Sequence, residues 1–292
     1  MRNLPQPTRA GERADLKKAV RRYRYRGKTL GHDITDDELD QVIALYDLYG
    51  VGQGLPSNAL LGGAMPPALL SAIHDAYAKT QNGRTLVHIR ERLFKDVDLC
   101  PVCGIDPVTE LDHHLPQSEY KALSIHARNL VPMCHLCNHA KLAGFDVDGN
   151  GFLHPYFDVL PDLNFLLATI ELNGSALIVD FSIDAAAVLP AGFPDRLTGQ
   201  MAALKLGNRY QREVNTYISS QAASLHIAYN GTGQEGVRTV LRLQTRYETR
   251  AFHRNHWRPT LLRALASHDH FTGGAFSEVL PIPHDMLVDL EP

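Results

Sequence analysis

The sequence predicts an α+β fold, with a short-stranded segment carrying all four cysteines set between two mainly helical regions and a β-hairpin near 165–181. Three observations predict it. Apolar residues recur at helical spacing before position 95 and again after 196. Two Cys-x-x-Cys pairs, Cys100/Cys103 and Cys134/Cys137, enclose a loop-rich stretch. Asn173-Gly174 separates two runs of strand-forming residues. The boundaries implied are 1–95 for a basic arm and helical region, 96–160 for the cysteine-bearing domain, and 161–292 for the hairpin and its following helices.

Taken in order, Thr35-Asp-Asp-Glu38 reads as a capping box that opens a helix over 39–49, broken at 50–56. Pro66-Pro67 can start a second helix reaching about residue 78, and a third is expected over 84–95. Beyond the cysteines, Asn173-Gly174 supplies the positive φ angles of a type I′ turn between strands at 165–172 and 175–181. Helical patterning runs from 196 to about 229 and pauses at Asn230-Gly231. A long helix is then expected over 237–258, stopped by Pro259, with an extended tail beyond Gly273.

At 292 residues and 44% hydrophobic composition the chain can bury a core. No apolar run follows the N-terminal charges, and none approaches the roughly 18 residues of a membrane span. A soluble cytoplasmic protein is expected. Net charge is −3, but residues 1–30 hold ten Lys/Arg against Glu12 and Asp15, a local +8 that leaves −11 for the rest. Such asymmetry suits a polyanionic partner. Within it, Arg21-Arg22-Tyr23-Arg24-Tyr25-Arg26 interleaves cations with aromatics, a composition suited to nucleic acid.

No cysteine lies outside the two pairs. In a reducing compartment this favours a metal over disulfides, and two knuckles of this spacing fit a tetrahedral four-thiolate Zn²⁺ site with a structural role. Between the pairs stand Leu111-Asp112-His113-His114-Leu115-Pro116 and Asn129, and Asn138 follows the last cysteine directly. Hydrolysis of a phosphodiester needs a base for water and a counter-charge for the phosphate and the leaving oxygen. A histidine near neutrality suits the first need, and Mg²⁺ or Mn²⁺ on a carboxylate and a carboxamide suits the second. Neighbours on a strand point to opposite faces, so Asp112 and His113 are expected to divide these duties.

These residues, together with Cys134-x-x-Cys137-Asn138-x-x-Lys141, resemble the HNH endonuclease motif over about 45 residues. The resemblance implies a ββα-metal finger stapled by zinc and a metal-dependent endonuclease acting on DNA. By position, His113 matches the general base and Asp112 a ligand of the catalytic cation. Asn129 matches the residue that orients the base-bearing loop, Asn138 the second cation ligand, and Lys141 a phosphate-contacting residue. His114 is the other candidate for the base, and His139 for the ligand. The stretch is similar to bacterial HNH proteins of anti-phage or foreign-DNA defence, some of which work beside an ATPase, so an ATPase or other defence subunit is an expected partner. One such finger cuts one strand at a time, and double-strand cutting would call for a homo-oligomer. The other function class is a zinc-stapled nucleic-acid-binding module without catalysis.

Further signals are weaker. Arg238, Arg242, Arg246, Arg250, Arg254 and Arg258 recur every four residues, which on one helix sweeps a spiral of roughly 200° that could follow a DNA backbone. Solvated pairing with acidic groups is the competing account, and Trp257 is expected in the core. Asp146-Val-Asp148-Gly-Asn150-Gly151 begins like a calcium loop, but Phe157 holds the position where such loops place Glu, so a turn is expected. The aromatics of His154-Pro-Tyr-Phe-Asp158 are expected to cover the cysteine-bearing segment, and His135 to lie at the surface.

Overall fold

The computed structural model describes residues 2–142 and 151–283, so the calcium-loop-like residues 146–150 lie outside the described residues. The chain divides into two units, one of residues 3–102 and 106–159, the other of 2, 103–105 and 160 onward. Residues on both sides of position 95 belong to the first unit. The fold is mixed α+β, with two-stranded sheets only among the described residues.

In the first unit the N-terminal cations are folded into structure. Helix α1 (Glu12–Val20) buries Leu16, Ala19 and Val20, a burial worth about 1.5–3 kcal/mol for each large side chain. Its polar side pairs with acids of α2 (Asp36–Val51): Arg13 meets Asp40 at 2.6 Å and Lys17 meets Asp36 at 2.9 Å. These pairs are exposed and contribute at most about 1 kcal/mol each, so the buried face holds α1 in place. Between α1 and α2 runs a hairpin, β1 (Tyr23–Tyr25) against β2 (Lys28–Leu30). The Thr35/Glu38 capping box is formed in both directions at the start of α2. Helix α3 (Pro67–Ala76) has proline in its first turn and ends in a 3₁₀ turn over Tyr77–Thr80, and α4 (Val87–Phe94) follows.

Next come β3 (Glu110–His113), β4 (Leu130–Met133) and α5 (His135–Leu142). The strands are antiparallel, with Asp112 opposite Val131 and Leu111 opposite Pro132. The His114 N–H bond to the Asn129 carbonyl sets the phase of the ladder. By alternation, Pro132 falls where an N–H would point away from β3, so its missing donor costs no ladder bond. The outward carbonyl of Leu111 is instead capped by the Tyr77 hydroxyl.

In the second unit β5 (Leu166–Asn173) and β6 (Ala176–Ile183) form the hairpin. Asn173 pairs with Ala176, so the corner is Gly174-Ser175, one residue later than expected. Only Gly174 has positive φ, +55°, the pattern of a II′ turn rather than I′. Gln211 serves the outer edge of β6, accepting from Val179 N–H at 2.6 Å and donating to the Leu177 carbonyl at 3.0 Å. It lies on α7 (Leu206–Ser219), which follows α6 (Phe193–Ala203).

The final helix is not one piece over 237–258. Helix α8 (Ala222–Ala251) is kinked at Thr232-Gly233 and ends before Phe252, and α9 (Trp257–Ser267) begins afresh. Pro259 lies in the first turn of α9, where the N–H it lacks would have had no helical partner. It therefore opens a helix instead of stopping one. The six arginines accordingly do not share a helix. Arg254 lies in the connection and pairs with Asp162 at 3.0 Å, and the Arg258 guanidinium lies over the rings of Tyr217, Phe252 and Trp257. Trp257 is buried. After Gly273 the chain turns into α10 (Phe276–Val279) before any extended segment.

Candidate metal centre and adjoining cleft

The four cysteine sulfurs lie within 4.8 Å of one another and all four residues are buried. A tetrahedron of thiolates around Zn²⁺ at about 2.3 Å has sulfurs about 3.8 Å apart, so the cluster fits that ion with little adjustment. The backbone supports the charge such thiolates would carry: Cys137 N–H donates to the Cys134 sulfur and Ile105 N–H to the Cys103 sulfur, each at 3.4 Å. Beyond the knuckle tip, His256 Nε2 donates to the Gly104 carbonyl at 2.9 Å and the Tyr210 hydroxyl to the Cys103 carbonyl at 3.2 Å.

Cys134 leads straight from β4 into α5, which lays Asn138 and Lys141, three apart on the helix, along one face of β3. That face carries Glu110 and Asp112, two apart on the strand. The Asn138 Nδ2 donates to Glu110 Oε2 at 2.6 Å, and the Lys141 ammonium donates to Asp112 Oδ2 and to the His113 carbonyl, each at 2.5 Å. A carboxylate only accepts, so the Asn138 amide nitrogen faces Glu110 and its Oδ1 is the atom left to serve as a cation ligand. Burial raises the Asp112 pKa, and the adjacent Lys141 ammonium opposes that shift. Glu110 titrates below its usual range, chiefly through the Asn138 hydrogen bond and despite partial burial.

His113 points to the other face of β3. Its Nε2 lies 2.9 Å from the Ser124 carbonyl, and a carbonyl only accepts, so Nε2 carries the proton and Nδ1 holds the lone pair. Burial lowers its pKa to about 4, partly offset by that hydrogen bond. The imidazole is neutral at physiological pH, and the Tyr77 ring packs against it in a T-shaped contact, 4.4 Å between centroids.

Asp112, His113, Asn138 and Lys141 line one cleft of about 600 Å³, together with His74, Tyr77 and the Pro116–Glu119 turn. His114 and His139 are not among its lining residues. His114 is buried with its ring 4.0 Å from that of His154. His139 stacks with His135 at 6.0 Å on the exposed side of α5, where His135 also pairs with Glu110 at 2.7 Å. Lys141 is 5% exposed, so its ammonium serves β3 and the chain beyond it.

Asn129 is fully buried behind the cleft. Its Oδ1 accepts from Leu115 N–H at 2.8 Å and from the Tyr49 hydroxyl at 3.1 Å, while its Nδ2 donates to the Leu115 carbonyl at 3.2 Å. Tyr49 is held in turn by His154 Nε2 at 2.9 Å. Against His154 lies Gly54, with φ of +77°, where an added Cβ would come within 2.4 Å of the imidazole. Gly54→Ala is therefore expected to destabilise the chain by about 2–4 kcal/mol, combining left-handed strain with overpacking. A thermal melt several degrees below wild type would show it, and an unchanged melt would contradict this packing. Tyr156 covers β4 with a hydroxyl bond to the Leu130 carbonyl at 2.9 Å.

The arginines of the second unit divide. Arg238 pairs with Asp269 at 2.5 Å and Arg242 with Glu235 at 3.2 Å, whereas Arg246 and Arg250 are exposed on α8. Exposed Leu243 and Tyr247 lie beside them. The pattern of cations was visible in the sequence; which of them have partners was not. Glu110 was missed, although strand alternation with Asp112 could have found it. Tyr77, Ser124 and Tyr49 reach the site through contacts distant in sequence and carry no local signal.

Fold and cluster together define a mixed α+β protein with a four-cysteine site suited to structural zinc. The chain is similar to Protein ea31 of Escherichia phage lambda, with 26% identity over 171 residues, a stretch covering 56% of this chain and 57% of that protein. The match thus spans little more than half the length of that relative. No family profile matches the chain, and no solved structure matches it. Among the described residues no helix is long and apolar enough to cross a membrane.

Proposed function

We propose that the chain is a metal-dependent endonuclease of the HNH type that hydrolyses phosphodiester bonds in DNA, with β3, β4 and α5 as its zinc-stapled finger. The observation that carries this reading is the shared cleft lining: a neutral imidazole whose tautomer is fixed by a backbone carbonyl, with the Asp112 carboxylate and the Asn138 carboxamide among the same lining residues. His113 Nδ1 takes the proton of the attacking water and holds it while the Ser124 carbonyl keeps the ring in place. Asp112 and Asn138 Oδ1 would hold one Mg²⁺ or Mn²⁺. That ion, when bound, supplies positive charge to the phosphate oxygens and the departing oxygen. Asn129 keeps the Leu115 backbone, and so the chain leaving His113, in one geometry. Lys141 balances the buried Asp112 charge. Exposed Arg242, Arg246 and Arg250 are suited to phosphate contacts. The resemblance to the HNH family further supports 5′-phosphate and 3′-hydroxyl products, a role in defence against phage or foreign DNA, and work beside an ATPase subunit.

Incubation of the whole protein with supercoiled plasmid tests the reading. Cleavage is expected with Mg²⁺ or Mn²⁺ and none without divalent ion. Asp112→Ala is expected to lower the rate at least 100-fold or to raise the Mg²⁺ requirement strongly. Equal cutting by this variant at every Mg²⁺ concentration would remove Asp112 from the site. The buried Lys141–Asp112 pair also favours a nuclease held silent alone. In that case cleavage appears only when the partner subunit is added, and an inert mixture of both leaves the binding-module reading.

A further inference from the structure

The β1–β2 hairpin has no packing reason for its composition. All six strand residues are exposed, including Tyr23 at 46% and Tyr25 at 56%. None of these side chains belongs to the buried core, so the aromatics add little core stability. Its geometry is nonetheless well fixed. Arg26 and Gly27 form the two-residue corner, both at positive φ (47° and 76°), the pattern of a type I′ turn. Arginine in a left-handed position is strained relative to glycine, and here it sets a cation at the tip. At the foot, His32 N–H bonds the Val20 carbonyl at 2.7 Å. Gly31 lies so close to the Val20 and Arg21 carbonyls that a Cβ would come within 2.6 Å of both.

The charge is one-sided. Arg21, Arg22, Arg24, Arg26 and Lys28 fall within eight residues that hold no acid, and among the described residues only Arg22 pairs with one, Asp33 at 2.9 Å. Cross-strand register puts Tyr23, Tyr25, Lys28 and Leu30 on one face and Arg24 with Thr29 on the other. Lys79 lies over the Tyr23 ring at 5.2 Å, two residues from cleft-lining Tyr77. The ribbon therefore stands beside the 3₁₀ turn that forms one wall of the cleft, within the same unit.

We propose that this ribbon is a binding site for duplex DNA, entering a groove with Arg24, Arg26 and Lys28 on the flanking phosphates. A two-stranded ribbon matches the width of a major groove, and cations on both faces and at the tip would meet phosphates on either side. The choice of DNA as occupant rests on the nuclease reading, while the surface itself is argued from charge and exposure alone.

The test uses the whole chain carrying His113→Ala, so that binding is read without cleavage, and a fluorescein-labelled 20-base-pair duplex followed by anisotropy across a KCl series. Adding Arg24→Ala, Arg26→Gly and Lys28→Ala is expected to weaken binding on the order of 100-fold at low salt. The slope of log K against log [salt] should fall by about 2.7, which corresponds to three phosphate contacts. These side chains are exposed and Arg26→Gly relieves the left-handed strain at the corner, so the melting temperature should not fall below the parent's and zinc content should stay at its value. Unchanged affinity and slope would overturn the proposal, as would no duplex binding by the parent at any salt. Tighter binding of the parent to vesicles of phosphatidylcholine with 30% phosphatidylserine than to duplex would overturn it as well. Failure of the nuclease reading is separate: a wild type that cuts nothing but loses duplex affinity with the ribbon cations is a binder without chemistry.

Discussion

Replacing His113 by alanine is expected to lower plasmid cleavage by about 100- to 10,000-fold, the usual contribution of a positioned proton acceptor. Zinc content and duplex affinity should be unchanged, because His113 touches neither the cysteine cluster nor the exposed cations. His114→Ala separates the two neighbours. Its ring lies against His154 and outside the cleft lining, so its loss should act through stability, moving the melt more than the rate per folded molecule. The pH profile carries the same assignment. A base must be unprotonated, so activity falls as pH drops through its pKa, and burial places that of His113 near 4 instead of 6.5. The acid limb of kcat/KM should accordingly lie well below 6.5. Full activity in His113→Ala would transfer the role elsewhere.

The largest effect on stability is expected from the cysteine cluster. Cys134→Ser removes one of four thiolates and a sulfur that accepts the Cys137 N–H. Structural zinc in small fingers contributes roughly 10–16 kcal/mol of apparent binding free energy, so the site should lose its stoichiometric ion. The Cys134/Cys137 turn should then lose its tie to the Cys100/Cys103 turn. Atomic absorption on the purified variant, with circular dichroism melting, checks this. Retention of one zinc per chain with an unshifted melt would mean that the cluster is not a metal site.

The parts of this fold legible in sequence are those specified over a few residues. Thr35 and Glu38 are three apart, and their reciprocal cap forms as read. Alternation around Asn173-Gly174 announced a hairpin, although its corner moved to Gly174-Ser175 because one positive φ suffices for the turn that formed. Where no local signal exists the reading fails. Nothing between Val237 and Pro259 announces the end of α8 at Ala251, and Pro259 was as compatible with a first turn as with a stop. The cleft divides in the same way. Asp112, His113 and Asn138 stand out by type and spacing, but the group that orients His113 is the Ser124 backbone carbonyl, and no side chain betrays it. Glu110 lay within reach of a period-two argument.

Asn129 shares one oxygen between the chain just past His113–His114 and a tyrosine 80 positions upstream, which is itself anchored 105 positions downstream. The stretch that carries His113 is thus propped from outside the knuckles that bound it. A fragment excised at the cysteines would keep its ion yet lose that prop, leaving the imidazole on a slack loop. The smallest transplantable cassette begins upstream of Tyr49 and extends past His154.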